Sequence, residues 1–246
     1  MNKKPFVDCH CHLEREYFPD LGEVLERMRG AGVACVASGR NREQNECALS
    51  LVRPGVKAAV GVSPHDALNA DAEQEKAWIL ENAGSASAIG EIGLDHHHFH
   101  SLEEREKQLR VFRAMLEAAE KTGKPAIIHT RKAEEKVLDE LESFKGTAVL
   151  HCFLVHRLAE RVLDAGHYVS LPTLKNKSRV KLVKRLPLNR ILCETDSPYL
   201  WEGRNEPANV VSVYREVARV KGLELGEARE AIGANAEELF GAWKNV

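Results

Sequence analysis

Nowhere does the sequence come near the roughly 18 consecutive apolar residues that a membrane helix needs, although 43% of its 246 residues are hydrophobic. The apolar run near the N-terminus breaks at Asp8, well short of the hydrophobic core of a secretion signal, so a cytoplasmic protein is expected. An excess of charge of either sign is missing too. The 35 Lys and Arg stand against 37 Asp and Glu, a formal net charge of −2, which restricts any nucleic-acid contact to a local patch. The 6 cysteines form no C-x-x-C pair and are expected as reduced thiols. Repeats, linkers and low-complexity tracts are absent and proline is limited to 9 residues, so disordered and fibrous classes drop out and one domain over 1–246 is expected.

What is present alternates. Short apolar, β-branched runs at residues 6–9, 33–38, 57–62, 88–92, 125–129, 148–152, 167–171 and 190–193 predict eight strands. Segments of helical period lie between them, such as Leu21, Val24, Leu25 and Met28. Capping-box spacing marks helix starts at Asp20 with Glu23, Ser101 with Glu104 and Asn235 with Glu238, and Gly30, Gly123 and Gly166 read as stops. Continuously apolar strands separated by helices belong to a parallel sheet covered on its faces. An open doubly wound sheet and a closed barrel both fit that description. Eight strands favour a single-domain α/β fold of the (β/α)8 type, and so does the position of the polar residues: His10, His12, His65, Glu91, His129, His151 and Asp196 all fall at or just past a strand's C-terminal end, which in a barrel is one ring.

That ring has the chemistry of a metal site. In His10-x-His12 the two-residue period of a strand puts both imidazoles on one face and Cys9 and Cys11 on the other, toward the helices. Alone, such a pair is as often a chance coincidence of surface or packing histidines as half a metal site. Glu91 is a carboxylate in the otherwise apolar, glycine-flanked strand Ala88-Ile89-Gly90-Glu91-Ile92-Gly93; it needs either a cation, which it can bridge to a second one, or a buried Arg or Lys. His129 and His151 end adjacent apolar strands. Asp196 ends the eighth strand, where closure brings it beside His10 and His12, and it can ligate a metal or hold a nucleophilic water. Arg131, two residues past His129, suits a phosphate because its planar fork matches phosphate oxygens; a salt bridge within the following helix is the plainer role. The run His96-His97-His98-Phe99-His100 is either a solvated loop on the active face or a set of substrate or metal contacts. Six basic residues between 175 and 185 read first as a solvated helix face, with Lys175 and Lys177 near enough to the ring for phosphate contact.

With these residues in place the sequence resembles the TatD-type metal-dependent deoxyribonucleases, within the amidohydrolase-like barrels. The matching pieces are Asp8-Cys9-His10-Cys11-His12, Gly90-Glu91-Ile92-Gly93-Leu94-Asp95, His129-Thr130-Arg131-Lys132-Ala133, His151-Cys152-Phe153, Glu194-Thr195-Asp196-Ser197-Pro198-Tyr199-Leu200, Arg204-Asn205-Glu206-Pro207 and Asn235-Ala236-Glu237-Glu238-Leu239-Phe240, in order along almost the whole chain. The resemblance implies hydrolysis of DNA phosphodiester bonds, as by a 3′–5′ exonuclease acting on single strands or 3′ ends, with two divalent cations (zinc, manganese or magnesium). His10, His12, Glu91 and Asp196 would hold one ion and Glu91, His129 and His151 the other, with Glu91 and Asp196 catalytic and His65 and Arg131 touching substrate. Two departures bear on substrate. The family's Gly-x-His-Pro-His is Gly61-Val62-Ser63-Pro64-His65 here, and Leu154-Val155-His156-Arg157 replaces a small glycine-containing loop. The same metal centre would serve a barrel hydrolase of a small ester, lactone, amide or phosphotriester, and the basic loop would serve a nucleic-acid-binding protein without turnover.

Overall fold

All eight apolar runs become strands. They are β1 Phe6–Cys11, β2 Val33–Ser38, β3 Val56–Val60, β4 Ala88–Asp95, β5 Ala126–Arg131, β6 Ala148–Leu150, β7 Tyr168–Leu171 and β8 Ile191–Cys193. In the computed structural model, which describes residues 3–243, they pair in parallel in sequence order from β1 to β8; both ends of the predicted 1–246 domain lie outside the described residues. Helices α1 Leu21–Gly30, α2 Arg42–Ser50, α3 Ala72–Asn82, α4 Leu102–Thr122, α5 Glu134–Leu141, α6 Ala159–Asp164, α7 Lys177–Arg185, α8 Val211–Lys221 and α9 Leu225–Phe240 cover the sheet. The residues that follow β8 close the seam on β1: Asp196 N donates to His10 O (3.0 Å), His12 N to Ser197 O (2.8 Å), and Thr195 N and Oγ1 to the buried Asp8 carboxylate (2.9 and 2.5 Å). The fold is a (β/α)8 barrel.

Two apolar layers share the strands. Val7, Ala34, Val36, Ala59, Ala88, Ile127, Val149, Tyr168 and Leu192 fill the barrel, and Ala236 and Phe240 of α9 plug it with Trp243. This plug covers the strands' N-terminal ends, since Lys57 near the start of β3 donates to Phe240 O at 2.7 Å. Alternate residues such as Cys35, Ala58, Ile128 and Leu171 face the helices. The opposite end is left to polar side chains.

Three local expectations fail for tertiary reasons. Asn235 is no cap: it is buried inside α9, and its amide donates to Leu188 O and Ile191 O at 2.8 and 2.9 Å, pinning the plug to β8. Asp20 sits at the N-cap of α1 without capping it, because its carboxylate is taken by Arg204 at 2.6 and 2.7 Å. Gly30 is the last residue of α1, and the left-handed turn falls on Gly32 (φ 64°). Ser101 and Glu104 do form the reciprocal box of α4, and Gly123 (φ 64°) ends that helix.

Cys9 is the more consequential correction. Between Asp8 and Cys11 the β1–β2 register slips, three steps on β1 matching two on β2 from Cys35 to Ala37. Such a bulge inserts a residue and re-aims side chains. Cys9 therefore joins the barrel interior, its Sγ 2.9 Å from Ser170 Oγ, while Cys11 alone faces the helix layer. Cys9→Ala is expected to lower stability by about 1–2 kcal/mol through a small void and a lost polar contact, with metal content unchanged; denaturant unfolding and elemental analysis check both, and loss of metal would make the thiol a ligand.

Candidate metal centre

The sequence builds the site with two bulges. The one in β1 lets His10 and His12 both reach inside the barrel although Cys9 does too. The second lies in β4, where three steps from Ile89 to Ile92 match two on β5 from Ala126 to Ile128. It turns Glu91 inward, and glycine is obligatory on either side: a Cβ at Gly90 would lie 2.6 Å from Ile127 Cβ, and at Gly93 (φ 140°) 2.0 Å from His129 O. His129 lies in β5, His151 directly follows β6, and Asp196 follows β8 in a left-handed conformation (φ 53°).

Glu91 stands at the centre. Its Oε2 is 3.5 Å from His12 Nε2 and 3.8 Å from His10 Nε2, and Asp196 Oδ1 is 3.6 Å from each of these nitrogens. Its Oε1 faces the other pair, His129 Nδ1 at 2.9 Å and His151 Nε2 at 3.5 Å. One carboxylate thus offers each oxygen to a separate group of donors. Among the described residues no Lys or Arg pairs with it, so the alternative of a buried cationic side chain falls away.

Three of the four imidazoles make a hydrogen bond through the other nitrogen, and the fourth, His151, has a carboxylate beside it. His12 Nδ1 lies 3.0 Å from Ser38 O; a carbonyl only accepts, so Nδ1 carries the proton and Nε2 presents a lone pair. His10 Nδ1 meets Ser38 Oγ at 3.1 Å, His129 Nε2 meets Asp95 Oδ2 at 3.3 Å, and His151 Nδ1 is 3.4 Å from Glu194 Oε1. Outer partners of this kind orient metal-binding histidines. His10 Nε2, aimed into the cluster, is buried without a hydrogen-bond partner. An orphaned imidazole nitrogen beside a carboxylate that splits its oxygens between two donor groups fits divalent cations.

The electrostatics agree. Burial alone would raise the Glu91 carboxyl, yet His129 and His151 hold it well below the usual range. Burial disfavours charge on His12, His129 and His151, but the carboxylates beside them raise all three above the ordinary imidazole value. His10, buried among the other imidazoles, is lowered. Protons on these rings would compete with any cation bound here, so its uptake would release protons and its affinity would climb with pH.

All six residues singled out as ligands converge here. His65 does not join them; its Nε2 lies 3.3 Å from Asp95 Oδ2, on the side of His129 away from Glu91. Arg131 is exposed at the end of β5, and no carboxylate pairs with it among the described residues, so the helix salt bridge is not made. Of the basic run, Arg179 is buried, ion-paired with Glu216 and bonded to Pro172 O, while Lys175 lines an open cavity of about 530 Å³ with Leu174, Leu200 and Trp201. Four residues escaped the sequence reading. Asp95 and Glu194 lie inside quoted motifs, each inward at the end of a strand. Ser38 acts partly through its backbone and left no signal. Arg40, just past β2, is half-buried, bonds only to Gln44 Oε1 (3.0 Å) among the described side chains, and is raised by Tyr199, Glu14 and Glu91 against the effect of burial. Asn205 organises the rim: its amide donates to Thr173 Oγ1, Thr195 O and Tyr199 O, fixing the loop that follows Asp196.

A donor set of this kind at this end of a barrel defines the class of metal-dependent barrel hydrolases. Comparison with known proteins narrows it: residues 7–241 match the family model described as TatD related DNase, and the chain belongs to that family. It is 33% identical over 250 residues to an uncharacterized metal-dependent hydrolase of Methanocaldococcus jannaschii, covering 98% of each chain. To the deoxyribonuclease TATDN3 of Homo sapiens it is 33% identical over 257 residues, covering 95% of this chain and 94% of that one. Among solved structures, the TatD homolog YjjV of Escherichia coli superposes with a TM-score of 0.86 at 24% identity, over 96% of this chain and 98% of that chain, which supports the barrel fold.

Proposed function

We propose that this chain hydrolyses phosphodiester bonds of DNA at a centre of two divalent cations, acting on single strands and 3′ ends. The observation that carries the reading is Glu91, whose oxygens face His10 and His12 on one side and His129 and His151 on the other. The metal ligands would be His10, His12, Glu91 and Asp196 for one ion and Glu91, His129 and His151 for the other. Bound there, zinc, manganese or magnesium would supply Lewis acidity, polarising a phosphoryl oxygen and making water nucleophilic near neutral pH. Asp196, the more exposed of the two carboxylates, orients the attacking water and takes its proton. The relative named a deoxyribonuclease supports DNA as the substrate.

The rim supplies the binding surface. Arg131 and Arg40 approach from β5 and β2, are free of carboxylate partners among the described residues, and would grip phosphates; His65, partly exposed beyond His129, would add a further contact. Leu174 and Trp201, two of the few large apolar side chains left exposed, line one cavity with Lys175 and Glu202, while the exposed Tyr199 stacks edge-on against Tyr17 and His12. An exposed indole beside a lysine suits a nucleobase, since stacking on aromatic rings tolerates any base.

Binding of a single-stranded oligonucleotide with a non-hydrolysable backbone is expected to weaken with salt by a log–log slope of roughly −2 to −3, the release from about three or four neutralised phosphates. Arg131→Ala should flatten that slope by about 0.7 for every sequence. Trp201→Ala should weaken binding by about 1–3 kcal/mol without changing the slope. A salt series on the three proteins separates these effects. No binding at any salt would count against a polynucleotide substrate, and a slope near about −8 would reveal a longer polyanion track starting at Lys175.

A further inference from the structure

We propose that His65, Asp95 and His98 form a third cation site on the rim, separate from the dinuclear centre, that takes a divalent transition cation such as zinc. None of its ligands is among the six donors of that centre. Asp95 is fully buried at the inward end of β4, and its carboxylate is crowded. Oδ1 accepts from His97 N and His98 N at 2.8 and 2.9 Å. Oδ2 is approached by His98 Nδ1 at 2.7 Å and by His65 Nε2 and His129 Nε2 at 3.3 Å. A carboxylate has about four lone-pair sites, fewer than the five nitrogens around this one. A cation resolves the conflict: His65 and His98 turn lone pairs toward it, and Oδ2 keeps the single N–H of His129.

The spacing fits. His65, Asp95 and His98 offer ligand atoms all within 4.8 Å of one another, and Oδ2 stands 2.7 and 3.3 Å from the two nitrogens. Neighbouring ligands about 2.0–2.1 Å from a tetrahedral cation are separated by roughly 3.3 Å. Two imidazoles and one carboxylate favour zinc over magnesium or calcium. The side chains of His65 and His98 are 41% and 44% exposed, so the remaining positions face solvent. Water or a phosphate oxygen fills them, and the substrate contact expected of His65 is then made through the cation. Phe99, with its ring 5.4 Å from that of His65, braces the loop. The histidine run thus divides: His98 is a ligand, and His97 and His100 are not.

The test is zinc content after chelation, reloading at one fixed low free-zinc level and desalting. Wild type is expected to hold three ions and His98→Phe or His65→Phe, which keep a ring in place, two. His97→Ala and His100→Ala should hold three, and wild type reloaded with magnesium should gain no third ion. Two ions in both wild type and His98→Phe would overturn the proposal, as would loss of the third ion in His97→Ala or His100→Ala, the behaviour of a loose histidine chelate. Failure of the dinuclear reading looks different: wild type would hold one zinc, removed by His98→Phe and retained by Glu91→Gln.

Discussion

Glu91→Gln is expected to reduce the dinuclear centre to at most one ion and hydrolysis by about 10²- to 10³-fold or more, while the barrel stays folded. The amide has the shape of the carboxylate and keeps β4 in its bulge, but it lacks the charge that faces His10 and His12 through Oε2 and His129 and His151 through Oε1. Asp196 is then the only carboxylate left among the six donors, and it reaches His10 and His12 alone. Far-ultraviolet circular dichroism and elemental analysis read the two halves of the claim, each variant being compared with wild type at the same free metal. Two tightly bound ions at the six-residue centre of a folded Glu91→Gln protein would refute the bridging role.

Asp196→Asn is expected to keep much of the metal and lose turnover by about 10²- to 10⁴-fold. Asparagine tolerates the left-handed conformation found at this position, and the seam bond from the backbone N of residue 196 to His10 O does not depend on the side chain. The variant therefore isolates one property, the ability to orient and deprotonate water. A single-turnover measurement on metal-loaded protein checks it; near-normal turnover with full metal content would remove Asp196 from the chemistry.

The barrel was legible because each strand is an apolar run bounded by polar or glycine residues, and because closure needs only that eight such runs alternate with helices. The clustering of the candidate ligands was legible for a related reason: His129, His151 and Asp196 are polar residues at or just past the ends of buried strands, where burial without a partner is costly. Cys9 was misread because a bulge is a property of cross-strand register. Asp8-Cys9-His10-Cys11-His12 reads as strict alternation until β2 is laid beside it. Asn235 was misread because the spacing of a capping box also occurs inside a helix, and only the docking of α9 on β8 shows which applies. Ser38 and Arg40 could not be found from local pattern at all, since the first works partly through its backbone carbonyl and the second lacks a carboxylate partner only in three dimensions.

If the residues around Glu91 form a metal-dependent phosphodiesterase for DNA, the chain must cleave DNA only when a divalent cation is present. The direct measurement is product formation by chelated protein, with and without added zinc, manganese or magnesium, from 5′-labelled single- and double-stranded DNA, RNA, and a panel of small esters and lactones. No reaction is expected without cation and, with it, stepwise shortening of single-stranded DNA from the 3′ end, slowed at least about 10²-fold by Glu91→Gln. Cation-dependent turnover of an ester or lactone with the DNA left intact, or binding of DNA without any cleavage, would contradict the phosphodiesterase reading.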